Sequence, residues 1–229
     1  MEFYAEREDE FRNMHYLIRI LRTDEETKRN PDPVAAGFNI PSGLEAAFIS
    51  SYVWDENHYC PESRAYVGWN EKGLHVWMLS LETVLRMEVK QTGGRVCDDS
   101  CLEFFLNPSP DKSDIYLNYE CSPLPCVFYS TGKAREDRKM LTALPAGMNP
   151  RSTVLPQKGW SISYLIPADY LKEEFGVILK SGLAMKGNFY KCGDLTPYPH
   201  FGSWNPIDAN LFPQPDFHRP EFFGELILE

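Results

Sequence analysis

Apolar and polar residues alternate with a period of two through much of the chain, and this pattern predicts β-strands because successive side chains of a strand point to opposite sides. The predicted strands are His15–Arg22, Arg64–Asn70, Leu74–Leu81, Cys101–Asn107, Asp114–Glu120, Pro125–Ser130, Trp160–Pro167, Leu183–Lys191 and Glu225–Glu229. Only Pro167–Phe175 reads as a helix, with proline at its start. The pattern predicts an all-β fold, an antiparallel β-sandwich of two sheets (immunoglobulin-like or jelly-roll type) with one or two short helices.

The predicted central strands each have one apolar face and one mixed face, on which aromatic rings stand beside carboxylate or amide groups. In the segment Cys101–Asn107, for example, Phe104 faces one way and Glu103 the other. The mixed faces carry Trp77, Glu103, Tyr116, Asn118, Glu120, Asn188 and Tyr190. Rings offer flat apolar surfaces and the polar groups offer paired hydrogen bonds, which together suit a saccharide. The alternative is that these groups form stabilising cross-strand pairs beneath loops.

Composition and charge narrow the classes of function. The chain has 229 residues, with 33 acidic and 23 basic residues and a net charge of −10, which disfavours nucleic acid and anionic membrane surfaces as partners. We expect one domain over residues 1–229, in which residues 1–43 form an N-terminal extension and the first strand. No signal peptide is visible at the start, so a cytoplasmic location is favoured unless a leader has been removed. The six cysteines are expected to be reduced and mostly buried.

Four segments, "VGWNEKGLHVWM", "DDSCLEFFLNP…IYLNYECSP", "WSISYLIP" and "GNFYKCGD…FGSWNPID…PDFHRPEFFGELILE", together resemble the family 9 carbohydrate-binding modules and their stand-alone relatives. The blocks occur in the family's order and cover most of residues 45–229, whereas residues 1–43 carry no resemblance. Two departures are Lys191, where many relatives carry arginine, and the cysteine content.

The resemblance implies a sandwich that binds sugar in a slot between aromatic side chains without cleaving it, with calcium as a structural ion. The matching motif positions are Glu103, Asn188, Tyr190, Trp204, His218 and Gly224. Joined to the mixed face, they give a candidate carbohydrate-binding set of Trp54, Trp77, Arg95, Glu103, Tyr116, Asn118, Glu120, Asn188, Tyr190 and Trp204.

Three further expectations concern the loops. Trp204 is expected at the rim of the mixed face, on a closing loop stiffened by four prolines (Pro206, Pro213, Pro215 and Pro220). His218 is expected to be a structural histidine with satisfied hydrogen bonds. Asp98 and Asp99 are candidate calcium ligands, although two acids fall short of the six to eight oxygens that calcium takes.

The predicted function is non-catalytic carbohydrate binding in polysaccharide catabolism, of glucan or xylan type, with separate carbohydrate-active enzymes as possible partners. One alternative is a haem-binding electron-transfer sandwich, which is weakened because His75 and Met78 point to opposite faces of their strand. Others are a glycoside hydrolase accessory or active domain using Glu103 and Glu120, and a protein-binding sandwich.

Overall fold

The computed structural model describes residues 14–21 and 30–229 and contains thirteen strands and two short α-helices in these ranges. The strands are β1 (His15–Ile20), β2 (Ala47–Ile49), β3 (Ser63–Asn70), β4 (Gly73–Ser80), β5 (Cys101–Asn107), β6 (Tyr116–Cys121), β7 (Val127–Gly132), β8 (Lys139–Met140), β9 (Arg151–Leu155), β10 (Gly159–Pro167), β11 (Ala184–Cys192), β12 (Phe201–Ser203) and β13 (Gly224–Leu228). The helices are α1 (Pro33–Gly37) and α2 (Ala168–Phe175), and single 3-10 turns occur at Val96–Asp98 and Pro220–Phe222.

The strands form two layers joined through β1. The first sheet has the order β8-β7-β6-β5-β11-β13-β1, and the second has the order β1-β3-β4-β10-β9, with β12 added to β11 and β2 added to β3. Residues 15–18 of β1 pair with β13, and residues 19–20 pair with β3. Both pairings of β1 are parallel, whereas the other strand pairs are antiparallel. The all-β two-sheet prediction is confirmed.

The main core lies between the two sheets and is built from the apolar faces that the alternation predicts. Phe104 and Leu117 enter it from the first sheet, and Val76 and Ile162 enter it from the second. Met78 also lies in this core, so His75 and Met78 are on opposite sides of β4, as predicted. Each large apolar side chain buried here contributes roughly 1.5–3 kcal/mol to folding.

The outer faces of both sheets are covered as well. All seven residues of β5 are buried, because loops pack a second apolar cluster against the outer face of β5, β6 and β11. On the second sheet, Tyr66 and Leu79 face outward and are covered by Ala35 and Phe38 of the α1 region. The outer face of the first sheet is therefore a second core with polar groups embedded in it, and this arrangement positions the candidate site.

Trp204 lies in the main core, so its predicted position at the rim of the mixed face is wrong. Its side chain is 3% exposed, and its ring centroid lies 5.6 Å from that of Phe189 and 6.1 Å from that of Tyr16. The indole packs over Gly224, the first residue of β13. Filling the space between the sheets removes more apolar surface from water than a rim position would.

The predicted local elements agree with the structure where their pattern is long. Helix α2 starts after Pro167 and ends at Phe175, and the following Gly176 caps it with a left-handed φ of 64°. The segment 133–138 is the loop between β7 and β8. The sequence pattern missed β2, β8, β12 and α1, which have two to five residues, and also the edge strand β9. The last residue of the predicted strand His15–Arg22 lies outside the described residues.

No helix of the described part is long and apolar enough to cross a membrane.

Gly224 tests the packing of Trp204. A Cβ at Gly224 would lie 2.5 Å from Trp204 Cζ3 and 2.8 Å from the backbone oxygen of Met14. We expect Gly224→Ala to lower the free energy of unfolding by about 1–3 kcal/mol through overpacking. Gly37→Ala is the control, since a Cβ there has no atom within 4 Å. Chemical denaturation of both variants checks this, and equal stability of Gly224→Ala and the parent chain would contradict the packing described.

Candidate functional site

A pocket of about 300 Å³ opens on the outer face of the first sheet, where loops leave part of β5, β6 and β11 uncovered. Its floor carries Glu103, Glu120 and Cys192 from these three strands. The rings of Phe128, Phe201 and Phe217 line it, together with the side chains of Arg95, Arg135, Arg138, Asp194 and His218. We call this cavity the outer-face pocket.

The two floor carboxyl groups are direct cross-strand neighbours, because Glu103 of β5 pairs with Glu120 of β6. They are only 3% and 5% exposed. Burial, followed by repulsion from Glu120, raises the pKa of Glu103 well above its ordinary value. Burial raises the pKa of Glu120 to about 7, although the hydrogen bond from Asn118 and the charge of Arg138 both act to lower it. At neutral pH the pair therefore carries less than two full negative charges, and it can both donate and accept hydrogen bonds.

Three arginines supply the positive charge of the outer-face pocket. Arg135 is held by Asp216 at 2.8 Å, and Arg95 by Asp98 at 3.1 Å. Arg138 Nη1 lies 4.0 Å from Glu120 Oε1, and its guanidinium lies 5.7 Å from the Phe128 ring centroid. A ligand in this cavity therefore meets guanidinium donors as well as the floor carboxyl groups.

His218 fastens the loop wall to the sheet as a neutral imidazole. Arg138 lies 3.0 Å from Nε2 and can only donate, so Nε2 accepts and the proton is on Nδ1. Nδ1 then donates to the Tyr116 hydroxyl at 2.7 Å. Burial and the charges of Arg138 and Arg135 lower the pKa of His218 to about 3. Both ring nitrogens are satisfied, as predicted for a structural histidine.

The closing loop, residues 205–222, is held at both ends by Asn188 of β11. Asn188 Nδ2 donates to the backbone oxygen of Asn205 at 2.9 Å and to that of Phe222 at 3.3 Å, and its Oδ1 accepts from the backbone nitrogen of Asn205 at 2.9 Å. In the middle of the loop, Phe217 stacks on Tyr190 with centroids 4.1 Å apart, and the Tyr190 hydroxyl donates to the backbone oxygen of Phe217. Asn188 and Tyr190 thus lie beneath the loop.

The structure brings Arg95, Glu103 and Glu120 of the candidate set together in the outer-face pocket. Asn118 lies next to them and donates to Glu120 Oε1 at 3.1 Å. Trp54 lies behind the pocket wall, where its ring packs against Phe217 and its Nε1 donates to the backbone oxygen of Phe212.

Trp77 is not part of this group, because β4 belongs to the second sheet, where its side chain points outward beside His75. The expectation of a face shared by Trp77 and Glu103 is wrong for this reason. Alternation assigns each residue a side of its own sheet, but it does not show which sheet a strand joins.

Five residues that line the outer-face pocket are absent from the set predicted from the sequence: Phe128, Phe201, Phe217, Arg135 and Arg138. The two arginines stand in the charged stretch Gly132–Lys139, a composition that is typical of a solvated loop. A cluster of arginines amid acidic residues is a weak signal of a polar pocket, but nothing in the local pattern places the three phenylalanine rings there.

Asp98 and Asp99 do not fit a calcium site. Asp99 Oδ1 accepts from the guanidinium of Arg86, and its Oδ2 accepts from the backbone nitrogens of Glu88 and Val89 at 2.8 Å. Asp98 is paired with Arg95. A cation would have to displace these donors, so Asp99 acts as a clamp for the loop before β5.

All six cysteines lie in the described residues and are free thiols, as predicted. Cys60 is exposed and Cys97 is half-buried, whereas Cys101, Cys121, Cys126 and Cys192 are buried. Cys97 and Cys192 both contribute to the lining of the outer-face pocket.

The sequence model of the family described as carbohydrate-binding family 9 matches residues 41–228. The chain belongs to this family. A solved structure from Bacteroides uniformis ATCC 8492, assigned as a candidate carbohydrate-binding protein, is 26% identical over 95% of this chain and 100% of its own, with a TM-score of 0.74. No match was found among curated proteins.

Two further similar structures come from a family 9 carbohydrate-binding module of Caldicellulosiruptor kristjanssonii. One is its complex with cellotriose and the other its complex with glucose, each 12% identical over 94% of this chain with a TM-score of 0.61. The matched regions cover 94% of the module's own chain in the cellotriose complex and 96% in the glucose complex. At 12% identity, this similarity shows a shared fold.

Removal of the Asn188 side chain tests how the closing loop is held. We expect Asn188→Ala to lower the free energy of unfolding by about 2–4 kcal/mol, because the backbone oxygen of Asn205 and the backbone nitrogens of Asn205 and Phe189 lose a partner. Limited proteolysis should then cut within residues 205–222. Asn210→Ala is the control, since Asn210 is exposed near the middle of the same loop. An Asn188→Ala protein as resistant to protease as the parent would contradict this role.

The raised pKa of Glu120 makes stability depend on pH. The folded state favours the protonated form of Glu120, and this preference contributes to the free energy of unfolding. The contribution is fully present below the pKa of an exposed glutamate, and it is lost as pH rises through about 7. We expect Glu120→Gln to match the parent chain near pH 5 and to exceed its free energy of unfolding by about 1–3 kcal/mol near pH 8.

Urea denaturation at the two pH values measures this difference. The control is Glu71→Gln, at an exposed position in the β3–β4 turn, where no such crossover is expected. A Glu120→Gln protein that is less stable than the parent at the higher pH would contradict the assigned protonation.

Proposed function

We propose that the protein binds a saccharide in the outer-face pocket without cleaving it. The observation that carries this proposal is the pair of buried carboxyl groups, Glu103 and Glu120, which line one open cavity of a family 9 chain together with arginines and phenylalanine rings. Saccharides combine hydroxyl pairs with apolar C–H faces, and the pocket supplies partners for both.

Each part of the pocket has a role in this proposal. Glu120 and Arg138, 4.0 Å apart, accept from and donate to neighbouring hydroxyl groups of one sugar. Phe128 and Phe201 offer flat apolar surfaces at the cavity wall. Asp216 holds Arg135 in place, so that its guanidinium is oriented before the ligand arrives and less side-chain entropy is lost on binding.

The volume of the pocket limits the length of its ligand. About 300 Å³ is at the lower end of small-molecule sites, which span roughly 300–1,000 Å³. The pocket therefore suits a mono- or disaccharide, or one end of a longer chain, better than the middle of a polysaccharide. We propose glucose- or xylose-based sugars first, since a family 9 module of the same fold is seen with glucose and with cellotriose.

The cellular role that we propose is sugar capture during the breakdown of glucan- or xylan-type polysaccharides, with separate carbohydrate-active enzymes as partners. Family membership supports this role. The acidic net charge of −10 is compatible with a neutral glycan ligand.

Isothermal titration with a panel of soluble sugars tests the proposal. We expect binding in the micromolar to millimolar range, and we expect Phe201→Ala to weaken it about tenfold, or ~1.4 kcal/mol, because one apolar wall is lost. Phe48→Ala is the matched control, since Phe48 is half-exposed on the outer side of the second sheet, away from the pocket. A reducing-end assay on the same panel is expected to show no cleavage.

Equal loss of affinity in the Phe201→Ala and Phe48→Ala variants would contradict the placement of the sugar site in the outer-face pocket. Cleavage of any panel member that Glu120→Gln abolishes would replace the binding function by a hydrolytic one.

A further inference from the structure

Two thiols and a carboxyl group meet at the base of the outer-face pocket. Cys101 of β5 and Cys192 of β11 are direct cross-strand partners, and Glu103 lies two residues beyond Cys101 on the same face of β5. The Sγ atoms of both cysteines and a carboxylate oxygen of Glu103 lie within 4.8 Å of one another. Cys192 Sγ is 2.9 Å from Glu103 Oε1, and Cys101 Sγ is 3.9 Å from the same oxygen.

We propose that Cys101, Cys192 and Glu103 form a binding site for a thiophilic divalent cation, with Zn²⁺ as the cation that this donor set fits best. This site goes beyond saccharide binding and does not depend on it. It gives Glu103 a role as a metal ligand, while Glu120 remains available to a sugar.

The geometry is close to that of a zinc site. In tetrahedral Zn²⁺ sites the sulfur ligands lie about 2.3 Å from the metal and carboxylate oxygens about 2.0–2.2 Å from it, so ligand atoms are separated by roughly 3.3–3.8 Å. The three donor atoms are already within 4.8 Å of one another, so rotations of the side chains bring them to this spacing. The strands that carry them are paired along their length from Cys101 to Asn107, which provides a rigid base.

The fourth coordination position faces the cavity. Glu103 and Cys192 both line the outer-face pocket, and so does Asp194. A water molecule from the pocket would complete four ligands. An open side of this kind also provides a path for the metal to reach the buried thiols.

Glu103 is 3% exposed and forms no ion pair with lysine, arginine or histidine within residues 14–21 and 30–229. A bound divalent cation would stabilise the ionised forms of all three groups and release their protons.

The donor set selects among cations. Thiolates prefer zinc and other soft metals, whereas Ca²⁺ and Mg²⁺ prefer six or more oxygen ligands. Competition by a large excess of Ca²⁺ should therefore leave zinc binding unchanged.

Metal titration of the full-length, reduced, chelator-treated protein tests the site. We expect one equivalent of Zn²⁺ to bind in competition with a chromophoric chelator, and Co²⁺ to give a thiolate-to-cobalt charge-transfer absorption. Cys192→Ser and Glu103→Gln should each weaken Zn²⁺ binding about 100-fold, since each removes one of the three ligands. Cys126→Ser is the matched control, because Cys126 is a buried thiol outside the cluster.

Circular dichroism confirms that each variant is folded, and Glu103→Gln keeps the shape of the side chain if Cys192→Ser does not fold. Zinc binding that survives in Glu103→Gln and Cys192→Ser, or that is lost in Cys126→Ser, overturns the proposal. The absence of stoichiometric binding and of the cobalt absorption in the parent protein overturns it as well. Sugar titrations of the same zinc-free protein report on the proposed function separately.

Discussion

The hydrogen bonds of Asn188 hold together the part of the molecule on which the candidate site depends. This one side chain binds the backbone at Asn205 and at Phe222, and so closes the loop between these residues against β11. The loop supplies Phe217 and His218, which form one wall of the outer-face pocket. Tyr190 and Tyr116 hold the middle of the same loop through Phe217 and His218.

Burial of both faces of the first sheet explains the unusual electrostatics of the site. Polar groups on an exposed sheet face would be solvated and would titrate near their ordinary values. Here the covering loops leave Glu103 and Glu120 with little water, which raises the pKa of both carboxyl groups and lowers that of His218. The pocket thus combines arginine charges with carboxyl groups whose negative charge at neutral pH is reduced.

Lys191 shows how a departure from the family pattern is accommodated. Its ammonium lies at the buried end of β11, where it binds Glu82 at 3.0 Å, His200 at 2.7 Å and the backbone oxygen of Cys192 at 2.8 Å. Three donors meet three acceptors in a compact space, which fits the point-like charge of lysine. Burial and the charge of Lys191 lower the pKa of His200 to about 4, so the imidazole stays neutral and accepts from lysine.

The alternation in the sequence determined which side chains of a strand point together, because side-chain direction follows from the pleat of the strand. It placed Phe104 in the core and Glu103 on the opposite face, and the motif blocks indicated the family. Only the tertiary structure decided which loops cover that face and which sheet each strand joins. The hydrogen bond between Tyr116 and His218 joins residues 102 positions apart, and Trp204 enters the core across Gly224. Such contacts depend on complementary shapes that meet only after the sheets have packed, so a local pattern of residues carries no signal of them.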